Sequence, residues 1–126
     1  MSNKLQTIDS IQPLGSGQSE GAKDSVKKEY EEGLRFLEQQ EYGQAAVALH
    51  NALVGFEQRQ DETGIANASN QLGHLCLFRK EYEGALKHYQ RALIICEKAN
   101  DRMSTLAVFN KIVTAQKGLK QYDKAI

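Results

Sequence analysis

The sequence predicts an all-α protein in which pairs of antiparallel helices repeat along the chain and stack into a right-handed α-solenoid. Two observations support this fold class. From residue 25 onward, apolar residues recur at the three- and four-residue steps of an amphipathic helix. The pattern that starts at Tyr42 then returns at Tyr82, 40 residues later. No stretch of the sequence shows the alternation of apolar and polar residues that is typical of strands.

The repeated unit is predicted to be a helix, a tight turn and a second helix. In the first copy, the apolar face of the second helix consists of Tyr42, Ala45, Ala46, Leu49, Ala52, Leu53 and Phe56. In the second copy, the same steps are taken by Tyr82, Ala85, Leu86, Tyr89, Ala92, Leu93 and Cys96. A third copy begins with Tyr122 and Ala125. We therefore expect two complete units and a truncated third.

Cap and turn residues predict where the helices begin and end. Ser25, Asp61 and Asp101 are expected to cap the first helices, because their side chains can accept the free N–H groups of a first turn. The predicted helices cover about residues 25–39, 42–59, 62–79, 82–99 and 102–119, with turns at 39–41, 79–81 and 119–121. The repeats then cover about residues 25–60, 61–100 and 101–126, the last of them incomplete.

Residues 1–24 are predicted to form a flexible arm that precedes the repeat domain of residues 25–126. The stretch GSGQSEGAKDS has the Gly- and Ser-rich composition of a linker. The alternative is a short docking element, since Leu5, Ile8, Ile11 and Leu14 recur every third residue. Pro13 would interrupt a helix in this segment, which favours the arm.

Charge and hydropathy exclude several classes of function. The 16 basic and 16 acidic residues give no net charge, so a general polyanion binder is excluded. Basic residues are scattered rather than interleaved with aromatics, which argues against a nucleic-acid partner. The longest apolar runs, such as Ala45–Leu49, fall far short of the roughly 20 residues that span a bilayer, so no membrane partner is expected. No secretory signal is visible, and a cytoplasmic location is predicted.

The sequence contains no recognisable catalytic, metal or cofactor motif. His50, His74 and His88 lack the spacing of metal ligands. Cys76 and Cys96 fall at packing positions of the repeat, so they are expected to be buried, reduced thiols. Neither a phosphate-binding loop nor a nucleophile with a partnering base is present. We predict a protein that is not an enzyme and binds no cofactor.

Glycine, tyrosine and alanine recur at matching places in the units. Gly33 and Gly73 lie in the first helices, where a missing side chain lets the facing helix approach. The second helices open with Tyr42, Tyr82 and Tyr122, and Ala45, Ala85 and Ala125 follow three residues later. This pattern resembles the tetratricopeptide repeat over residues 25–126. The long period of 40 residues resembles the repeats of G-protein-signalling modulators and, more distantly, of kinesin light chains.

The third unit departs from the pattern. Val113 stands where the earlier units have glycine, and the sequence holds only Gln121–Ile126 of the predicted second helix. The apolar side of the first helix in this unit, formed by Leu106, Phe109, Ile112 and Val113, would therefore lack a partner. We infer either a piece of a longer array or a chain that completes itself as a homodimer through this repeat. In the second case the protein would be a self-assembling structural element.

The resemblance implies that the first helices line a concave groove, which binds a peptide or a helix of another protein. The expected groove residues are Tyr30, Leu34, Asn67, Asn70, His74, Phe78, Asn110 and Lys111. Asn70 and Asn110 share a register, and an Asn amide can both donate to and accept from a peptide backbone. The alternative is that these asparagines are merely tolerated on a polar helix face.

One subgroup of the resembled family, the chaperone adaptors, binds a C-terminal carboxylate with a clamp of Lys, Asn and Arg residues. The matching positions in this sequence hold Tyr30, Leu34, Gln71, Ala107 and Lys111. Only Lys111 could serve in such a clamp. The sequence therefore disfavours a co-chaperone function of that type and favours a protein-interaction scaffold with other specificity.

Overall fold

The structure is a computed structural model that describes residues 16–125, with the side chains of residues 25–121. Within that range the helices are α1 (Ser16–Glu38), α2 (Tyr42–Gln58), α3 (Glu62–Phe78), α4 (Tyr82–Lys98) and α5 (Arg102–Ala125). No strand occurs between residues 16 and 125. The prediction of an all-α repeat protein is confirmed. Residues 1–15, which hold most of the predicted arm, lie outside the described part of the chain.

The first predicted boundary is wrong, because α1 begins at Ser16 and not near residue 25. Ser25 therefore lies inside α1 with an exposed side chain and does not cap the helix. Once the packed part of a helix has formed, each added turn gains one hydrogen bond per residue fixed. Residues 16–24 therefore extend α1 as helix although their composition is typical of a linker.

The third predicted turn, at residues 119–121, is also wrong, because α5 is one continuous helix from Arg102 to Ala125. The turns that do form place Gln40 and Lys80 at a φ of 63°. A residue other than glycine pays about 1–2 kcal/mol for this left-handed conformation. At these turns the packing of α2 and α4 recovers that cost. Continuing α5 keeps the backbone hydrogen bonds at no conformational cost.

The turns between helices share one hydrogen-bond pattern. At the end of α1, Gln40 N–H donates to the carbonyl of Leu37 at 3.0 Å and Glu41 N–H donates to that of Phe36 at 2.9 Å. These two bonds, with Gln40 in the left-handed region, form a Schellman motif. The same pair of bonds ends α2, α3 and α4. Each turn is therefore fixed by its backbone, which makes the helix pairs alike.

Two of the predicted N-caps are confirmed. The Asp61 carboxylate accepts a hydrogen bond from the backbone N–H of Gly64 at 3.0 Å. The Asp101 carboxylate accepts one from Ser104 at 3.1 Å, and this hydrogen bond lowers the pKa of Asp101. Both aspartates open first helices of the repeat, α3 and α5, as the sequence predicts.

Consecutive helices pack against each other in chain order, from α1 on α2 to α4 on α5. One core cluster joins α2 to α3, and its buried members are Ala45, Leu49, Ala52, Leu53, Phe56, Ile65, Ala68, Leu72 and Leu75. A second cluster joins α3, α4 and α5, and its buried members are Ala66, Ala85, Tyr89, Ala92, Val108, Ile112 and Ala115. Ile95 packs against both clusters. The core is thus continuous along the stack.

The predicted role of the glycines is confirmed by the distances. A Cβ atom on Gly33 would lie 2.7 Å from Cγ of Leu49, and one on Gly73 would lie 2.6 Å from the ring of Tyr89. Both distances are shorter than carbon atoms tolerate, so no side chain fits at either position. At these two positions a side chain of the second helix, Leu49 or Tyr89, occupies the space that the glycine leaves, so α1 packs closely on α2 and α3 on α4.

Helix α3 packs on α2 with an apolar face. The face at the same repeat positions of α1 is polar. In α3 that side consists of Ile65, Ala68, Leu72 and Leu75. The residues at the same positions in α1 are Ser25, Lys28, Glu32 and Arg35, all of them exposed. The Arg35 guanidinium donates to the Glu32 carboxylate at 2.8 Å. This face of α1 is solvated and lacks the apolar contacts that join α2 to α3.

Replacing Ala85 by leucine tests the close approach of the helices. Ala85 is fully buried in the second core cluster. Three further carbon atoms overpack this site, and we expect Ala85→Leu to destabilise the fold by about 1–3 kcal/mol. Chemical denaturation measures this change, with Ala107→Leu on the exposed side of α5 as the control. Equal stability of the two variants would show that Ala85 does not lie at a tight helix contact.

Candidate partner-binding groove

Four of the predicted groove residues lie along one side of α3. Asn67, Asn70, His74 and Phe78 are three or four residues apart, so their side chains follow one face of the helix. Asn67 and Phe78 are exposed, whereas Asn70 and His74 are half-buried. Side chains of α1 and α5 lie beside this face, and they form two separate pockets along it.

The first pocket has a volume of about 560 Å³ and brings together three predicted residues, Tyr30, Leu34 and Asn67. Its apolar floor includes Phe56, whose ring meets the Tyr30 ring edge-on with 6.1 Å between centroids. The Tyr30 hydroxyl forms a hydrogen bond with the Gln71 side chain, and burial raises the pKa of Tyr30. The rim of the pocket consists of Lys27, Glu31, Arg59, Asp61, Thr63 and Gly64. An apolar floor below a polar rim suits an apolar side chain of a peptide.

The second pocket, of about 300 Å³, brings together His74, Phe78 and Lys111. Phe78 is 63% exposed and lies against the ring of Tyr42, with 4.5 Å between the ring centroids. Lys111 reaches this pocket from α5 with an exposed side chain. The pocket therefore offers an aromatic surface next to a cation.

His74 has a structural role that the sequence did not predict. Its Nδ1 lies 2.6 Å from the hydroxyl oxygen of Tyr89, in a hydrogen bond between α3 and α4. Burial, and after it the charge of Lys111, lowers the pKa of His74. Burial raises the pKa of Tyr89 to about 12, so both groups are neutral at physiological pH. The sequence feature that could have indicated this hydrogen bond is Tyr89, because the matching position of the first unit holds the apolar Leu49.

The two predicted groove asparagines occupy different environments. Asn110 is exposed, as expected. Asn70 is only half-exposed, and its Oδ1 is buried without a hydrogen-bond partner among the described residues. The difference follows from the stack, since α3 packs between α2 and α4 while α5 makes its main contacts with α4. The Asn110 side chain therefore faces solvent, whereas that of Asn70 does so only in part.

The apolar side of α5 is exposed, with one correction. Leu106 and Phe109 are 61% and 52% exposed, and Val113 is half-buried. Ile112 was predicted on this side but is buried against α4, because it lies four residues after the buried Val108. We refer to Leu106, Phe109 and Val113 as the open face of α5.

The remaining sequence candidates do not form a chemical site in the part of the chain that the structure describes. Cys76 and Cys96 are free but only half-buried, where full burial was expected, and burial raises the pKa of both thiols. Among the described residues, no three His, Cys, Asp or Glu side chains lie close enough to hold a metal ion. No helix within residues 16–125 combines the length and apolarity needed to cross a membrane.

The stability of the fold should decrease in mild acid. The pKa values of His74 and His88 in the folded protein are lowered from the usual 6.5, mainly by burial. Below pH 6.5 the unfolded chain therefore binds more protons than the folded one, and stability present above that pH is lost as the pH falls. We expect this loss to be smaller in His74→Gln than in the parent protein, because the variant lacks the buried imidazole. Melting temperatures between about pH 7.5 and pH 5 measure it, and an unaltered pH dependence in His74→Gln would contradict the assignment.

Comparison with known proteins identifies the repeat. The family model described as tetratricopeptide repeat matches residues 64–126, which is half of the chain and includes most of α3 and all of α4. No curated protein and no solved structure matches the chain. The matched segment contains the close contact of Gly73 with Tyr89 and the buried Ala85. The chain therefore belongs to the tetratricopeptide repeat family.

Proposed function

We propose that this protein is a non-catalytic scaffold that binds a peptide or a helix of a partner protein in the groove formed by α1, α3 and α5. Tetratricopeptide repeats generally mediate protein–protein interaction. The observation that carries the proposal is the grouping of six predicted residues into two pockets along one side of α3. The 40-residue period supports the long-repeat type within the family. The cytoplasmic location and the absence of nucleic-acid and membrane partners stay predictions.

The spacing of the pockets suggests the size of the bound segment. Asn67 lines the first pocket and Phe78 lines the second, eleven positions further along α3. At about 1.5 Å per helical residue, they are roughly 16 Å apart along the helix axis. An extended peptide covers this distance in about five residues. We therefore expect a partner motif with two apolar side chains about five residues apart.

The chemistry of the pockets suggests which side chains would fit. The first pocket accepts an apolar side chain over Phe56 and Leu34, with Asn67 available to the peptide backbone. The second joins the exposed ring of Phe78 to the ammonium group of Lys111. An aromatic side chain packed on Phe78, followed by a carboxylate near Lys111, would satisfy both groups.

A second candidate function is self-assembly through the third repeat. The observation in its favour is the exposure of Leu106 and Phe109 on the open face of α5. These residues do not line the two groove pockets, so the two functions are compatible in one molecule.

The groove is tested with peptides selected on the protein from a random peptide library. Phe78→Ala should weaken binding of the selected peptides at least tenfold, because it removes an exposed aromatic anchor. Ile94→Ala on α4 is the matched control, since Ile94 and Phe78 are both 63% exposed. Titration calorimetry measures both affinities. Equal affinity of the two variants, or a loss only in Ile94→Ala, would contradict the proposed groove.

The asparagines are tested by the double substitution Asn70→Ala with Asn110→Ala. Asn110 is exposed, and Asn70 Oδ1 has no partner in the described part of the fold, so the melting temperature should stay within a few degrees. Loss of the hydrogen bonds that the Asn110 amide and the amide nitrogen of Asn70 can offer a peptide, at about 0.5–1.5 kcal/mol each, should weaken binding of the selected peptides at least tenfold. An unfolded variant, or one with unchanged affinity, would exclude the asparagines from peptide binding.

A further inference from the structure

The open face of α5 is not shaped for the kind of helix that packs on α3. Val113 occupies the position of Gly73, where a Cβ would already lie 2.6 Å from the ring of Tyr89. Phe109 occupies the position of Ser69, which is fully buried. With these larger side chains, a second helix cannot approach α5 as closely as α4 approaches α3. A helix that covers the open face of α5 must therefore pack differently from the way α4 packs on α3.

The charge of α5 indicates what that occupant carries. Between residues 102 and 121, the side chains described in α5 include Arg102, Lys111, Lys117 and Lys120 and no carboxylate. At helical spacing, Arg102, Lys117 and Lys120 lie at the two ends of the open face. Glu97 of α4 lines the same pocket as Leu106 and Phe109, but the three cations at the ends of the face outnumber it. Two such faces would therefore repel each other, which disfavours pairing of α5 with α5. A complementary surface would combine apolar groups with carboxylates.

Such a surface lies on α1 and α2, on the side of the stack away from α5. A groove of about 480 Å³ between these helices is lined by Glu29, Glu32, Phe36, Gly43, Gln44, Val47 and Ala48. Val47 is 63% exposed, and no lining residue is basic. The Glu32 carboxylate also contacts Arg35, and the Glu29 carboxylate accepts a hydrogen bond from Asn51 at 3.4 Å. We refer to this site as the α1–α2 groove.

The repeat itself shows that a helix fits in a groove of this kind. One unit further along the stack, α2 packs against α3 and α4, with Leu53 beside Leu72 and Ile95 in the same cluster. The position of Leu72 is taken by Glu32 in the α1–α2 groove, and that of Ser69 by Glu29. The α1–α2 groove therefore has the form of a helix acceptor with two carboxylates in place of uncharged side chains. Because Glu32 already pairs with Arg35, Glu29 is the carboxylate that can meet a cation of an incoming helix.

We propose that the occupant of the open face of α5 is a second copy of this chain, which receives α5 in its α1–α2 groove. The contact is heterologous, so it joins copies head to tail and leaves one free end on each. It specifies the partner and both surfaces for the second candidate function, self-assembly. It uses none of the residues that line the two peptide pockets, so the peptide-binding proposal stands or falls separately.

The expected association is weak. One helix face on one groove buries less than the roughly 1,200 Å² of a small specific interface. We therefore expect dissociation constants in the range of about 10–100 μM and a dependence on salt, since charged groups lie at the rim of the contact. Sedimentation velocity from about 5 to 500 μM protein covers this range.

The decisive experiment mixes two variants, each of which has one of the two contact surfaces blocked by a substitution. Phe109→Asp blocks the open face of α5, and Val47→Asp blocks the α1–α2 groove. Each variant alone should stay monomeric, whereas an equimolar mixture should form a one-to-one dimer from the two intact ends. Ile94→Asp is the control for Val47→Asp, because both parent residues are 63% exposed, and it should associate like the parent protein. Leu106→Asp provides a second variant of the open face should Phe109→Asp fail to fold.

Three results would overturn the proposal. The first is a parent protein that stays monomeric up to about 500 μM. The second is self-association of Val47→Asp alone with none in Phe109→Asp, which indicates pairing of α5 with α5. The third is association that is unaffected by Glu29→Lys, since charge complementarity selects the groove. Weakened association in Glu29→Lys, restored by mixing with Lys117→Glu, would support the pairing of these two surfaces.

Discussion

The close approach of the first and second helix in each unit determines the rest of the structure. At Gly33 and Gly73 the facing side chains, Leu49 and Tyr89, come nearer than any Cβ would permit. This distance sets the position of one helix relative to the other, and the Schellman turns fix the connection between them. Because both units have the same contact, they stack with a common geometry, and α3 presents one side between α1 and α5. The arrangement of α1, α3 and α5 around the proposed groove is therefore a consequence of this packing.

Internal repetition made most of the fold predictable from the sequence. The spacing of Tyr42 and Tyr82 located the helix pairs, and Asp61 and Asp101 located the starts of α3 and α5. The errors lie where repetition is a poor guide. Residues 16–24 have a linker composition but extend a helix that is already packed, and α5 continues through residue 120, where a turn was expected. In both cases the outcome depends on packing around the segment, which local composition does not report.

The groove was predictable only in outline. The resemblance to the repeat family implies that the first helices lie side by side, and this was enough to expect Tyr30 near Asn67 and Phe78 near Lys111. It could not separate Asn70 from Asn110, which share a register but differ in burial because their helices have different neighbours. It also missed the bond between His74 and Tyr89, which depends on a contact between two helices. Some residues of the proposed groove thus also support the fold, and His74 is the clearest case.

The most direct test of the proposed groove is the mapping of a bound peptide by nitrogen-15 NMR. With a peptide selected on the parent protein, the backbone signals that shift should belong to α3 between Asn67 and Phe78, together with Tyr30 and Lys111 on its two sides. Signals of α4 around Ile94, on the opposite side of the helix pairs, should stay in place. Shifts confined to α4, or to Leu106 and Phe109 on the open face of α5, would show that the partner binds elsewhere and would contradict the function proposed for the groove.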